Sequence, residues 1–249
     1  MCSDSGRWDV VKAQATLRAL YEQKFPELVS ALADVETGTL SYPQLLDMSA
    51  HGYGAAKTKL LIVGQQTQTW YGEWRCLKSY APKDAIRELL GRYREFNLGE
   101  GKRHTPFWQY AHRLYRLLNT DGPDNGFVWS NLIKMDGLNR KGRQGYPGWP
   151  IEERINKSFN VLVSEVDLAE PGVVAFFTGH DYDECLRVSF PGVQLSKVQS
   201  SGLDDKWLSL VRHDRLPEHS FRTYHPGYLS RQRKGDSVLG AIRDLVLGE

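Results

Sequence analysis

Near the C-terminal end of the sequence, His225 is followed at once by Pro-Gly in the run His-Pro-Gly-Tyr-Leu-Ser-Arg over 225 to 231. A Pro-Gly pair makes a tight turn, so the imidazole sits on a rigid support. Such a ring, neutral or charged, stabilises an anion forming beside it. Leu229 stands among Tyr228, Ser230 and Arg231, which reads as an exposed apolar tip able to enter a base stack. Taken singly, each residue has a plainer alternative: a turn whose His caps local backbone and whose Leu packs onto the core.

A second group is Gly-Gln-Gln-Thr-Gln-Thr-Trp-Tyr-Gly-Glu-Trp over 64 to 74, which holds the amides Gln65, Gln66 and Gln68 beside Trp70, Tyr71 and Trp74. Amides donate and accept, matching a base edge or an ordered water, while the rings offer stacking faces. A loop with aromatics tucked under a helix uses the same residues. Asn131 interrupts the apolar run Phe-Val-Trp-Ser-Asn-Leu-Ile-Lys-Met over 127 to 135, and a buried amide must find hydrogen-bond partners. It either reads the Watson-Crick edge of a pyrimidine or is satisfied by neighbouring backbone. The histidines form no HxxxH or HExxH pattern, and Cys2, Cys76 and Cys185 are too scattered for a CxxC pair or a disulfide framework. No metal or other cofactor is expected.

The formal net charge of +2, from 32 Lys and Arg against 30 Asp and Glu, means that any DNA-binding face must be local. Two basic runs, 139 to 143 and 231 to 234, sit in polar loops and read by themselves as solvated surface. A hydrophobic share of 41% over 249 residues is enough for one large globular domain. The longest apolar stretches, such as 173 to 177, fall far short of the roughly 20 residues of a membrane-spanning helix. The N-terminus lacks the apolar core of a secretory signal. A cytoplasmic monomer without a membrane partner is the expectation.

The scaffold follows from hydrophobic patterning. Buried strands are expected at 58 to 64, at 127 to 135, at 173 to 179 and at 220 to 227. Helices are expected at 8 to 23, limited by Pro26, then at 83 to 96, 106 to 119 with Thr105 as N-cap, 152 to 167 and 236 to 247. The Gly- and Pro-rich segment from 136 to 150 reads as a long loop. Alternating strands and helices predict an α/β fold, a three-layer α/β/α sandwich around a central, mostly parallel four-stranded sheet. It forms one domain over 1 to 249, with a helical extension over about 1 to 57 as lid or flank. Ligands of such sheets sit outside the strands' C-terminal ends, so the loops starting at Gly64, Asn131, Gly179 and His225 converge.

Taken in order, GQQTQ after a strand, Asn131 in a strand and HPGYLSR after the last strand resemble the three signature segments of the uracil-DNA glycosylase superfamily, over roughly Thr58 to Leu247. The HPxxLS pattern is the most specific match. By that similarity His225 stabilises the departing base, Leu229 fills the gap left by a flipped nucleotide, and Ser230 with nearby amides grips phosphate. The resemblance implies a catalytic set of His225, Gln66 and Asn131, a base surrounded by Gln65, Gln68, Trp70 and Tyr71, and DNA contacts at Tyr228, Leu229, Ser230 and Arg231.

Two departures from the best-known branch matter. Gln66 stands where that branch has the carboxylate that positions or activates water, and an amide is no base; other branches carry an amide there and still cleave. Glu73, Asp136 and Asp181 are carboxylates on converging loops, and the sequence does not choose among them. Gln68 stands where the uracil-specific GQDPYH has a tyrosine that excludes bulk at C5 of the ring. Its amide implies tolerance of larger substituents, as in superfamily members that attack hypermodified cytosine in phage DNA, including glucosylated hydroxymethylcytosine. The expected activity is a monofunctional glycosylase that leaves an abasic site. The alternatives are a catalytically inactive binder of modified or damaged DNA and a hydrolase of free nucleosides or nucleotides.

Overall fold

The computed structural model describes residues 8–36, 39–50, 52–68, 70–138, 144–145 and 148–248. Along the chain run α1 (Val10–Ala31), β1 (Leu60–Gln66), α2 (Trp74–Leu77), α3 (Pro82–Phe96), α4 (Pro106–Leu118) and β2 (Val128–Ile133). There follow β3 (Gly137–Leu138), β4 (Gln144–Gly145), α5 (Trp149–Ser158), α6 (Leu162–Ala169), β5 (Val173–Phe177) and α7 (Asp183–Ser189). The last elements are β6 (Gln194–Lys197), β7 (Leu208–Arg212), β8 (His219–Thr223), α8 (Pro226–Arg231) and α9 (Gly235–Leu247).

The fold is α/β, but the four-stranded sheet expected from sequence is corrected to a mixed, six-stranded one in the order β2-β1-β5-β8-β7-β6. The four expected strands are its parallel part, and β7 and β6 extend it antiparallel at one edge. All residues of β2 and β5 are buried, as is β1 up to Gly64, because strands covered on both faces must be apolar throughout. β6 is a four-residue edge strand with three exposed positions, so it carries no such signal. A short hairpin of β3 and β4 lies within the segment expected to be a plain loop. The basic run 139–143, Thr69 and Cys2 lie outside the described residues.

The helices fall into two packed groups, α1 with α3, α5 and α6, and α4 with α8 and α9. The helix expected at 152 to 167 is two, α5 and α6, with Phe159 and Val161 buried in the break. Among the described residues no helix is long and apolar enough to cross a membrane.

α1 runs through Pro26 instead of ending near it. Pro26 lies on the solvent face, while Leu17, Tyr21, Phe25 and Leu28, spaced by three or four, line the buried face. That burial outweighs the one backbone bond that proline removes. The N-terminal helix is therefore part of the core, and it contributes a polar group to it. Tyr21 donates its hydroxyl to Glu165 Oε1 at 2.6 Å and accepts the Leu46 amide at 3.1 Å. Glu165 Oε2 takes the Lys134 ammonium and the Ser130 hydroxyl, each at 2.6 Å. Burial pushes the Lys134 ammonium below and the Tyr21 hydroxyl above their ordinary pKa values.

Each charge in this network is tolerable only because its partner is present. Lys134→Ala is expected to lower the unfolding free energy by about 3–5 kcal/mol, since it leaves Glu165 uncompensated. Tyr21→Phe should cost less, about 1.5–3 kcal/mol, because it removes one hydrogen bond to a charged group. Urea unfolding with an unchanged m-value tests both, and a Lys134→Ala midpoint equal to that of the parent protein refutes the assignment.

Candidate functional site

The chain turns from one side of β1 to the other after β2, so the crevice at the C-terminal end of β1 is the switch point of the parallel sheet. Parallel pairing sets Gly64 opposite Asn131. A Cβ at position 64 would overlap Asn131 Oδ1, so the missing side chain makes room for the amide. Because side chains alternate along a strand, Trp129 shares the face of Asn131, and Gln66 shares that of Gly64. All four line a pocket of about 510 Å³, within the range of small-molecule sites.

The far wall of the pocket is aromatic; it joins Trp70, a residue the sequence already marked, and Trp129 of β2 to Phe96 and Trp108, which in sequence read only as helix residues. Trp129 is its hub, with Trp108, Trp70 and Phe96 packed around it at centroid distances of 5.0, 5.3 and 5.6 Å. The wall's edge is set where α3 ends in three successive left-handed residues, Asn97, Leu98 and Gly99. His112 Nε2 pins this turn by donating to the Leu98 carbonyl at 3.0 Å, and a Cβ at Gly99 would overlap the Trp108 ring. The turn brings Lys102 to the pocket's mouth, where Thr105 and Pro106 at the start of α4 also lie. Thr105 occupies the N-cap position but donates its hydroxyl back to the Lys102 carbonyl, so it does not cap α4 through its side chain.

Four polar atoms around the pocket are buried without a hydrogen-bond partner among the described residues: Gln66 Oε1, Asn131 Nδ2, Trp70 Nε1 and Trp129 Nε1. Such groups cost stability unless a ligand satisfies them. Their side chains line the pocket while these atoms themselves have almost no open surface, so a guest reaches them as the side chains turn; the set comprises three donors and one acceptor, which suits an acceptor-rich guest. Gln68 is exposed at the rim, and Tyr71 reaches it through a left-handed backbone with φ of 48°. Trp74 is not part of the pocket; it is buried against Phe25 of α1, 5.7 Å between centroids.

His225 stacks on Phe107 at 5.7 Å and accepts the Gly227 amide at Nδ1, 3.1 Å away. In the neutral ring the proton therefore sits on Nε2, which becomes a donor. Burial, helped by the nearby Arg231 cation, lowers the His225 pKa to about 4. The imidazole is neutral at physiological pH.

His225 and Gln65 also border a second cavity of about 370 Å³, completed by Thr178, Gly179, His180, Asp181, Tyr224, Tyr228 and Arg231. Gln65 is held there by donating Nε2 to the Thr178 carbonyl at 2.7 Å. The loops expected to converge thus meet across two adjoining cavities. Tyr228 and Arg231 line the second, while Ser230 is exposed outside both linings. Leu229 requires a correction: it is fully buried, not an exposed tip. The expected loop folds into α8, whose single turn directs Leu229 inward.

The three alternative carboxylates are not in the larger pocket. Asp136 is fully buried and accepts the Thr67 hydroxyl, and Glu73 pairs with Arg75 at 2.5 Å. Asp181 reaches only the second cavity, where it is largely exposed and lies 3.4 Å from His180 Nδ1. Among the described residues no three His, Cys, Asp or Glu side chains come together as a metal-ligand set. In comparisons with known proteins, no family model matches the chain and no curated protein matches it at a significant level.

The unfolded His225 ring takes up its proton near the ordinary value of about 6.5, whereas the folded one waits until about 4. Its contribution to stability is therefore unchanged above the unfolded value and is lost as pH falls from there through about 4. Nitrogen-detected NMR should find His225 as the Nε2–H tautomer at pH 6, and Arg231→Ala should raise its pKa. A ring that charges at the ordinary pH would overturn this electrostatic picture.

Proposed function

We propose that the protein is a DNA glycosylase that holds a flipped, modified pyrimidine in the aromatic pocket and hydrolyses its N-glycosidic bond. The observation that carries this reading is the seam at His225 and Gln65, with an aromatic-walled pocket on one side and a polar groove on the other. A nucleotide bound across it has its base among Trp70, Phe107 and Trp129, its sugar and phosphate in the groove, and the scissile bond between them. In this reading the fold is the three-layer α/β/α arrangement of the uracil-DNA glycosylase superfamily, and DNA is the partner.

Cleavage breaks the C1′–N bond, and its electron pair leaves with the base. Water adds its oxygen to C1′, and the proton it gives up ends on the base, leaving an abasic site. The Nε2–H of neutral His225 is the donor available to the base oxygen on which negative charge gathers. A neutral donor suits this role because it is not spent on a counterion before the charge develops. Asn131 supplies a donor for the pyrimidine edge, and Gln66 orients water without acting as its base. The pocket holds more than an unsubstituted pyrimidine ring, and an exposed Gln68 at its rim leaves space for a C5 substituent such as a glucosylated hydroxymethyl group.

A second reading, a binder of modified DNA without catalysis, is favoured by one observation: the described lining of the larger pocket includes no carboxylate. Duplexes carrying uracil or glucosylated hydroxymethylcytosine, incubated with the protein and then with alkali, separate the two. Scission is expected on at least one, and intact strands across the panel overturn the enzyme reading. On the cleaved substrate His225→Ala should slow excision about 100- to 1,000-fold in a protein that still folds, its melting temperature lowered only by loss of the Gly227 cap and the Phe107 contact. Asn131→Asp exchanges a donor for an acceptor, so it should change which base is preferred.

A further inference from the structure

Tyr224 and Tyr228, which line the second cavity, join Trp207 in a cluster of three half-buried rings that takes no part in breaking the glycosidic bond. Trp207 stacks on Tyr228 at 5.8 Å with 19° between planes, and both pack on Tyr224, at 4.9 Å from Trp207 and 4.5 Å from Tyr228. Trp207 is held there by construction. The buried guanidinium of Arg222 donates to the carbonyls of Asp205 and Lys206 at 3.1 and 3.0 Å, and its other side meets Asp183 at 3.2 Å. An Asx turn, with the Lys206 amide on Asp204 Oδ1 at 2.9 Å, sets the bend just before the tryptophan.

Cations border the rings. Arg231 lies over Tyr228 at 5.6 Å and Lys234 over Trp207 at 6.0 Å. Arg231, Arg233 and Lys234 are exposed and make no ion pair among the described residues, and no carboxylate interrupts their run. The acidic neighbours Asp181, Asp204 and Asp205 come from the loops after β5 and before β7. Rings interleaved with unpaired cations, continuous with a base pocket, suit a chain that offers both flat faces and phosphates. Leu229, packed in the core, enters no base stack while α8 stays in place.

We propose that Trp207, Tyr224 and Tyr228 form a stacking platform for unpaired bases of single-stranded DNA running out of the pocket. The proposal rests on the DNA reading above, and it makes strand-separated DNA the form in which the substrate is gripped. Stacking on such rings is insensitive to sequence, because every base has a flat face.

The test uses unmodified, dye-labelled DNA of about 12 nucleotides, as a single strand and as a duplex, with binding read by fluorescence anisotropy. Trp207→Ala should weaken single-strand binding about tenfold and duplex binding by less than about twofold, and Trp207→Phe should recover most of the loss. Tyr228→Leu, which keeps apolar bulk and removes the ring, gives an independent second variant should Trp207→Ala not fold. Folded variants that bind the single strand like the parent protein overturn the platform, as does an equal loss on both DNA forms. The probe contains no excisable base, so the two readings fail separately. Single-strand binding that depends on Trp207, without excision of any substrate, removes only the enzyme reading. Excision with Trp207-independent binding removes only the platform.

Discussion

The buried pair of Lys134 and Glu165 is the constraint on which the remaining structure hangs. Neither charge can be stranded in the core, so β2, α6 and, through Tyr21, α1 must all be in place together. β2 alternates its side chains, so the strand that turns Ser130 toward this pair turns Trp129 and Asn131 toward the pocket. A tether on one face of the strand thereby fixes the recognition groups on the other. The N-terminal helix, which looks like an accessory in sequence, belongs to the same tether.

The pocket is rigid for a second reason. Its aromatic wall is built edge to face around Trp129, an arrangement that the ring quadrupoles favour and that leaves few alternative rotamers. His225 completes the wall by stacking on Phe107, and its desolvation there keeps the imidazole neutral. Packing and protonation state are thus one property: exposing the ring would both loosen it and let it charge nearer the ordinary imidazole value of about 6.5.

The sequence made the parallel sheet legible because strands buried on both faces have to be apolar runs, and from that alone Gln65, Gln66 and His225 could be placed after strands and Asn131 within one. What escaped had physical reasons. The edge strand Gln194–Lys197 is short and exposed, so neither length nor alternation marks it. The break between α5 and α6 contains no glycine or proline, since buried Phe159 and Val161 make it by tertiary packing. Phe96, Phe107 and Trp108 look the same in sequence whether they face a core or a pocket. Trp129 was within reach, being two residues from Asn131 in a strand and therefore on its face. Leu229 misled because an apolar residue in a polar run looks exposed, and only the turn of α8 reveals that it points inward.

The pairing of Gly64 with Asn131 has a consequence for how this site can change over generations. An amide at 131 requires a bare backbone at 64, so the two positions are coupled, and a drift at either one alone damages the floor of the pocket. Gln68, Tyr71 and Lys102 stand at the half-exposed or exposed rim, where substitutions cost little of the fold. Such a division leaves the machinery frozen and the preference mutable. Lineages of this protein would be expected to keep one floor while trying many rims, following whatever chemical decoration their targets acquire.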